Sequence, residues 1–115
     1  MAMKRKLPRP KSAPESAILK ACLQLLQYHP RVGIAWRANA GAMKIGDRYV
    51  KFGFVGQPDI MAVLKPSGRF LAVEVKRKGK LPTAAQEEFL QSVLKAGGSA
   101  IWVTDAAQLA AHLRG

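Results

Sequence analysis

The sequence predicts one α/β domain. Segments with helical periodicity alternate with short apolar runs typical of strands, and glycines and prolines separate them. The chain has 115 residues, the size of one small domain. Hydrophobic residues make up 49% of it, which is enough to form a core.

Residues 1–14 form a basic, proline-rich arm before the folded domain at 15–115. The arm carries five cations and three prolines but has no hydrophobic period, so we expect it to be mobile when free. It could hold phosphates, or it could be a solvated tail.

The first helix follows the arm and ends at His29 and Pro30. Ser12 is a suitable N-cap and Pro14 suits the first turn. Glu15 lies three residues after Ser12, which is the spacing of a capping box. The apolar face of the helix has helical spacing and comprises Ile18, Leu19, Cys22, Leu23, Leu25 and Leu26.

A short strand and a hairpin come next. Residues 34–37 are typical of a strand, and residues 43–45 and 48–50 flank Gly46 and Asp47, a pair suited to a type II′ turn. Gly56, further on, permits an unusual backbone angle or the close approach of another backbone.

The register of the next two strands can be derived from the sequence. Residues 59–64 and 69–76 are typical of strands around a turn at 65–68. If Leu64 and Arg69 flank that turn, counting five residues away from the turn on each strand places Asp59 opposite Glu74. Directly opposed residues have Cβ atoms about 4.5–5.5 Å apart, so one ion could contact both carboxylates.

The rest of the chain alternates between helix and strand. A basic loop runs from Lys76 to Lys80, and Thr83 can cap a helix that ends near Lys95. Residues 99–103 are typical of a buried strand, and Asp105 can cap a last helix.

Nineteen Lys and Arg residues face only seven Asp and Glu residues, which gives a formal net charge of +12. This balance favours a polyanionic partner, of which nucleic acid is the commonest. We expect no membrane span and no signal peptide, because the apolar runs are short. A single cysteine, Cys22, builds neither a disulfide nor a Cys-based zinc site, and we expect it in the core of an intracellular protein.

Three motifs resemble the VRR-NUC family, the virus-type replication and repair nucleases of the PD-(D/E)xK superfamily. They are Gly56-Gln57-Pro58-Asp59, Glu74-Val75-Lys76 and Gln86-Glu87-Glu88-Phe89. Their order and spacing carry the resemblance, which covers nearly the whole chain except the arm. Phe89 departs from it, since many members have Trp there. The resemblance implies a restriction-endonuclease-like fold, a mixed central sheet flanked by helices.

By this resemblance, Asp59 and Glu74 are metal ligands, the main-chain carbonyl of Val75 is a third, and Lys76 positions the attacking water. The implied metal is Mg²⁺, or Mn²⁺, and hard oxygen ligands suit either ion. The alternatives are a turn aspartate for Asp59, a surface carboxylate for Glu74 and a surface lysine for Lys76. Like charges as close as Asp59 and Glu74 are destabilising without a cation.

Glu15 and Gln86 have two interpretations each. The resemblance places Glu15 near the metal and lets Gln86 reach the catalytic strand or a metal-bound water. Yet both residues also stand at capping-box positions, Glu15 after Ser12 and Gln86 after Thr83.

Several polar residues are predicted phosphate contacts, with a solvated basic face as the alternative: Arg37, Asn39, Lys44, Arg48, Lys51, Arg77 and Lys78. Trp36, Tyr49 and Phe52 could stack on bases or pack, and packing is favoured for Trp36.

Taken together, the residues and the resemblance predict a metal-dependent endonuclease that cuts DNA, with branched DNA favoured, as in Holliday-junction resolvases. Small size and the resemblance suggest a homodimer in the cytoplasm of a bacterium or a phage-infected cell. Two alternatives stay open: a non-catalytic basic DNA-binding module with a nuclease fold, and a restriction-type endonuclease.

Overall fold

The computed structural model describes residues 13–38 and 41–115, without the side chains of 41–43 and 51–52. The predictions for the arm up to residue 12, for Asn39 and for the side chains of Lys51 and Phe52 lie outside that part. The elements in chain order are α1 Glu15–Tyr28, β1 Val32–Arg37, β2 Gly41–Ile45, β3 Arg48–Phe52, β4 Ile60–Leu64, β5 Arg69–Val75, α2 Ala84–Lys95, β6 Ser99–Val103 and α3 Ala106–Arg114.

Four strands form a mixed sheet in the order β1-β4-β5-β6. β1 with β4 and β4 with β5 are antiparallel, whereas β5 with β6 is parallel. The parallel pair needs a crossover connection, and α2 supplies it. The prediction of a mixed α/β architecture is therefore confirmed at this level.

The two faces of the sheet are covered by different helices. Leu71, Val73 and Val75 of β5 belong to the core cluster that includes residues of α1 and α3. The intervening side of β5 faces α2, since Gln86 of α2 bonds to Glu74. Helices thus lie on both faces, as predicted. Each large apolar side chain buried in such a core contributes about 1.5–3 kcal/mol.

Cys22 is a core residue, as predicted. Its side chain is fully buried in α1. Burial, with a smaller effect of the Asp105 charge, raises the pKa of the thiol to about 11. The thiolate is therefore disfavoured, as is usual for a buried structural cysteine.

The start of α1 differs from the prediction. Pro14 is the N-cap, in an extended conformation and without a side-chain cap, and its carbonyl accepts from the N–H groups of Ala17 and Ile18. A capping box from Ser12 would need the helix to begin two residues earlier, so that prediction is wrong. A proline disfavours the helical conformation in the residue before it, so residue 13 does not join the helix and Pro14 is the N-cap. Glu15 is consequently the first helical residue.

The other two helices begin as predicted. Thr83 caps α2 through a capping box with Gln86, and Asp105 caps α3 by accepting the N–H of Gln108 at 2.8 Å. No helix of the described part is long and apolar enough to cross a membrane.

Strands β2 and β3 form a separate two-stranded sheet. Gly46 has φ +61°, and no non-glycine residue of the described ranges has a positive φ, as a type II′ turn requires. Within the described residues, this hairpin packs on no other helix or strand.

The α2 side of β1 is uncovered, because α2 contacts only β5 and β6 among the described strands. Trp36 on β1 is consequently 40% exposed, so it is partly packed, and the choice between packing and stacking stays open.

Candidate metal-binding site

The candidate site lies where β4 begins and β5 ends. Leu64 pairs with Arg69 and Ile60 pairs with Val73, which is the predicted register. Asp59, one residue before Ile60, therefore falls opposite Glu74. Its Oδ2 accepts the main-chain N–H of Val75 at 2.7 Å. This bond holds the Asp59 carboxylate at the end of β5.

Glu74 is a buried carboxyl group with one free oxygen. Only 1% of the residue is exposed. Gln86 donates from Nε2 to Oε1 of Glu74 at 3.1 Å, whereas Oε2 has no hydrogen-bond partner among the described residues. A buried carboxyl oxygen without a partner is unfavourable. Oε2 is therefore suited either to a proton shared with the Asp59 carboxyl, which the raised pKa of Glu74 favours, or to a bound cation.

The surroundings of Glu74 oppose its ionisation in the metal-free protein. Burial is the largest cause, followed by the neighbouring Asp59 carboxyl, and together they raise the pKa of Glu74 to about 9. The charge of Lys76 acts in the opposite direction, and that of Glu15 adds to the rise. A bound cation would favour the ionised form, because it offsets the repulsion between the two carboxylates.

Gln86 serves both of its predicted roles at once. Its Oε1 accepts the main-chain N–H of Thr83 at 2.8 Å, which forms one half of the capping box. Its Nε2 donates to Glu74. The amide therefore links the first turn of α2 to the candidate ligand on β5, and it leaves Oε2 of Glu74 as the free oxygen.

The loop before Asp59 is held against α2 by Gly56. A Cβ at Gly56 would lie 2.5 Å from the carbonyl oxygen of Ala85, and its φ is +88°. Both observations require glycine. The close approach that the sequence suggested is therefore present, and it brings the Pro58–Asp59 turn against the start of α2.

Gln57 ties the loop before Asp59 to Phe54, a contact that the motif alone did not predict. Its Oε1 accepts the N–H of Phe54, and its own N–H donates to the carbonyl of Phe54, both at 3.1 Å. The ring of Phe54 packs on Phe89 of α2, with the centroids 5.2 Å apart. The position of Gln57 between Gly56 and Pro58 in the motif was the only sequence feature that could have indicated such a contact.

A cavity of about 190 Å³ opens beside Asp59. Its lining residues come from α1, from the end of β1 and from the end of β5, and they are Glu15, Ser16, Leu19, Arg37, Asp59 and Val75. Glu15 and Arg37 thus lie near the candidate ligand. Across 13–38 and 41–115, however, no three His, Cys, Asp or Glu side chains group closely enough to hold a metal ion. Among the described residues, the candidate carboxylate ligands therefore number two, Asp59 and Glu74.

The cavity beside Asp59 is smaller than another cavity in the described part of the chain. A cavity of about 400 Å³ lies between the start of β5 and the end of α2, at the opposite end of β5, and it has no carboxylate in its lining of Arg69, Phe70, Ser92, Val93, Ala96, Gly97 and Gly98. Carboxylate chemistry, rather than volume, identifies the candidate site.

Lys76 is the cation whose charge acts on Glu74, and further cations follow it in sequence or lie on the hairpin. Lys76 is half-buried directly after β5, and its main-chain N–H donates to Val103 at 2.9 Å. Arg77 and Lys78 follow in an exposed loop. Lys44 and Arg48 are exposed on the β2–β3 hairpin.

Comparisons with known protein families, curated proteins and solved structures find no significant match to this chain. The fold and the site define a mixed α/β protein with a buried pair of carboxylates at one end of its sheet. The resemblance to VRR-NUC nucleases remains a hypothesis based on the motifs.

Proposed function

We propose that this protein is a metal-dependent endonuclease of the VRR-NUC type, which hydrolyses phosphodiester bonds in DNA. The observation that carries the proposal is the buried Glu74 carboxyl, with its unpartnered Oε2 beside Asp59. In a chain of net charge +12, a buried acidic pair is costly unless a cation offsets it. A restriction-endonuclease-like arrangement of the sheet belongs to the same proposal.

Asp59, Glu74 and the main-chain carbonyl of Val75 would hold Mg²⁺ or Mn²⁺. The oxygen donors and the free Oε2 fit such an ion. When bound, the ion supplies positive charge that polarises a phosphate and lowers the pKa of a water molecule. Gln86 orients the Glu74 carboxylate through its hydrogen bond. Lys76 positions the attacking water and offsets charge on the phosphate.

Exposed cations at the same end of the sheet would bind the DNA backbone. Arg37 lines the cavity beside Asp59, and Arg77 and Lys78 follow Lys76 directly. Phosphate contacts of this kind fix the position of the duplex without reading its sequence. Glu15, in the same cavity, would act near the metal rather than in a capping box.

The decisive experiment compares wild type with Asp59→Asn on linear, flapped, forked and four-way DNA and on matched RNA, with Mg²⁺ or with chelator. We expect cleavage by the wild type with Mg²⁺ only, and no cleavage by Asp59→Asn, with DNA binding largely kept. Glu88→Gln is the control, because it removes one negative charge from an exposed position on α2.

Each of the other outcomes would indicate a different function or mechanism. DNA that is bound but stays uncut with Mg²⁺ would make the chain a non-catalytic module. Discrete fragments from linear duplex would indicate a restriction-type enzyme. Cleavage that resists chelation would contradict the metal mechanism.

A cytoplasmic homodimer acting on four-way junctions is part of the proposal, because a two-fold dimer presents two sites to a symmetric junction. Sedimentation should show a dimer at micromolar concentration. A monomer that leaves branched DNA uncut would refute this part.

A further inference from the structure

The β2–β3 hairpin projects from the rest of the described chain. It contacts no other described helix or strand, and every residue from Lys44 to Val50 is exposed. An isolated two-stranded hairpin is at best marginally stable in water. Its five-residue strands extend roughly 15 Å at about 3.3 Å per residue. Such an arm is suited to contact with a partner molecule.

Both ends of the hairpin are attached beside the candidate site. Before β2, Arg37 lines the cavity next to Asp59, and Ala38 donates its N–H to the Asp59 carbonyl at 2.9 Å. After β3, the chain returns through Gln57 to Asp59. The hairpin therefore leaves and rejoins the molecule next to the candidate ligand.

One face of the hairpin combines an aromatic ring with a cation. Lys44 pairs with Tyr49, so both side chains lie on the same face. Tyr49 is 76% exposed. Most of Tyr49 is therefore uncovered, and a flat partner can stack on its ring.

We propose that the hairpin binds unpaired nucleotides beside the site, with Tyr49 stacked on a base and Lys44 on an adjacent phosphate. Unpaired bases offer free faces to an aromatic ring, whereas paired bases in a duplex are already stacked. The excess of cations provides charge complementarity to the phosphates. The position of this contact next to a cleavage point rests on the proposed nuclease function; the binding itself does not.

The test measures the affinity of the full chain for a labelled forked DNA and for a fully paired duplex of equal length. Chelator is present, so that neither DNA is cut. Loss of one stacked base corresponds to about 5- to 140-fold in affinity. Tyr49→Val keeps strand propensity but removes the ring. We expect it to weaken fork binding at least about fivefold and duplex binding less than twofold, and we expect Tyr49→Phe to restore wild-type binding.

Lys44→Ala tests the proposed phosphate contact on the same face. It should weaken both DNAs and lower the log–log salt slope by about 0.9, the value for one phosphate. Unchanged thermal unfolding of all variants would show that the fold is intact, as expected for exposed positions.

Three results would overturn the proposal: equal losses on fork and duplex with Tyr49→Val, no loss on either, or no rescue by Tyr49→Phe. A dimer in sedimentation that Tyr49→Val dissociates would instead make the hairpin a contact between copies of this chain. If the fork preference holds while no metal-dependent cleavage occurs, only the nuclease proposal fails. If cleavage occurs without any effect of Tyr49, only the hairpin proposal fails.

Discussion

Glu74 is the residue whose surroundings are least favourable in the metal-free protein. Its carboxyl is buried next to Asp59 and has one oxygen without a partner in the described part of the chain. A purely structural residue at this position would be better as an amide or an apolar side chain, because neither has to keep a proton at neutral pH to remain buried. The arrangement is understandable if a cation completes it.

The first prediction concerns the pH dependence of stability. The pKa of Glu74 is about 9 in the folded protein against an ordinary value of 4.5. Between these values the unfolded chain loses the proton and the folded chain keeps it. Rising pH therefore favours unfolding. In chelator, Glu74→Gln should be more stable than wild type by at least about 1 kcal/mol at pH 8, and the advantage should shrink towards pH 4.5.

Urea unfolding at pH 5, 6.5 and 8 measures this difference, with Glu88→Gln as the control for a lost exposed charge. Saturating Mg²⁺ should stabilise the wild type, by about 2.7 kcal/mol at a hundred times its Kd, and should leave Glu74→Gln unchanged. Parallel pH curves for wild type and Glu74→Gln would mean that Glu74 ionises normally.

The second prediction separates the two roles of Gln86. Gln86→Ala and Thr83→Ala each break one side of the same capping box, so each should lower stability by about 0.5–2 kcal/mol. Only Gln86→Ala also removes the donor to Glu74. It should weaken Mn²⁺ binding at least about tenfold, as loss of a ligand-orienting bond does.

Calorimetric titration with Mn²⁺ compares the two variants directly. Equal Mn²⁺ affinities in Gln86→Ala and Thr83→Ala would show that the bond to Glu74 does not serve metal binding.

At the scale of the elements, the site depends on two contacts. The antiparallel β4–β5 pair sets Asp59 opposite Glu74. The loop at Gly56 presses against the first turn of α2, which carries Gln86. The site is therefore assembled from a local hairpin and from one packing contact between a loop and a helix.

The third prediction tests that packing contact. Gly56→Ala combines a positive φ with a Cβ 2.5 Å from the Ala85 oxygen, so it should cost at least about 2 kcal/mol. Gly68→Ala is the control, because Gly68 has φ +77° but a Cβ added there would meet no described atom within 4 Å, and its cost should be about 1–2 kcal/mol. Chemical unfolding of both variants measures the difference. Equal costs would show that the loop moves away from α2 without strain.

At the scale of the whole molecule, charge is the dominant property. Arg77 and Lys78 lie at the site end of β5, whereas Lys65 and Lys95 lie at the other ends of β4 and α2 from Asp59 and Gln86. A DNA interface at the site should therefore involve the first pair and not the second.

The fourth prediction is that the Arg77→Ala/Lys78→Ala variant has a log–log salt slope for DNA binding smaller by about 1.8, since each phosphate contact contributes about 0.9. Lys65→Ala/Lys95→Ala loses the same charge and should keep the wild-type slope within experimental error. Fluorescence anisotropy from 50 to 300 mM salt, in chelator, measures it. The same decrease in both variants would mean that charge acts without a defined interface.

Interactions between residues close in sequence could be predicted. The Leu64–Arg69 register follows from a four-residue turn, and the caps at Thr83 and Asp105 involve residues three apart. The capping prediction at Ser12 was wrong although it was local. Ser12 and Pro14 are both typical of a helix start, and Pro14 is the N-cap.

The sequence by itself determined the mixed α/β class, the basic character and the placement of Asp59 across from Glu74. Turn and capping preferences depend on residues close in sequence, and net charge depends on composition alone. All three can therefore be predicted without knowledge of the tertiary structure. Only the tertiary structure decided that Oε2 of Glu74 is buried without a described partner, that Gln86 joins α2 to Glu74, and that the β2–β3 hairpin packs on no other described helix or strand. Burial is a property of packing between segments distant in sequence, so spacing and local turn chemistry could not predict these features.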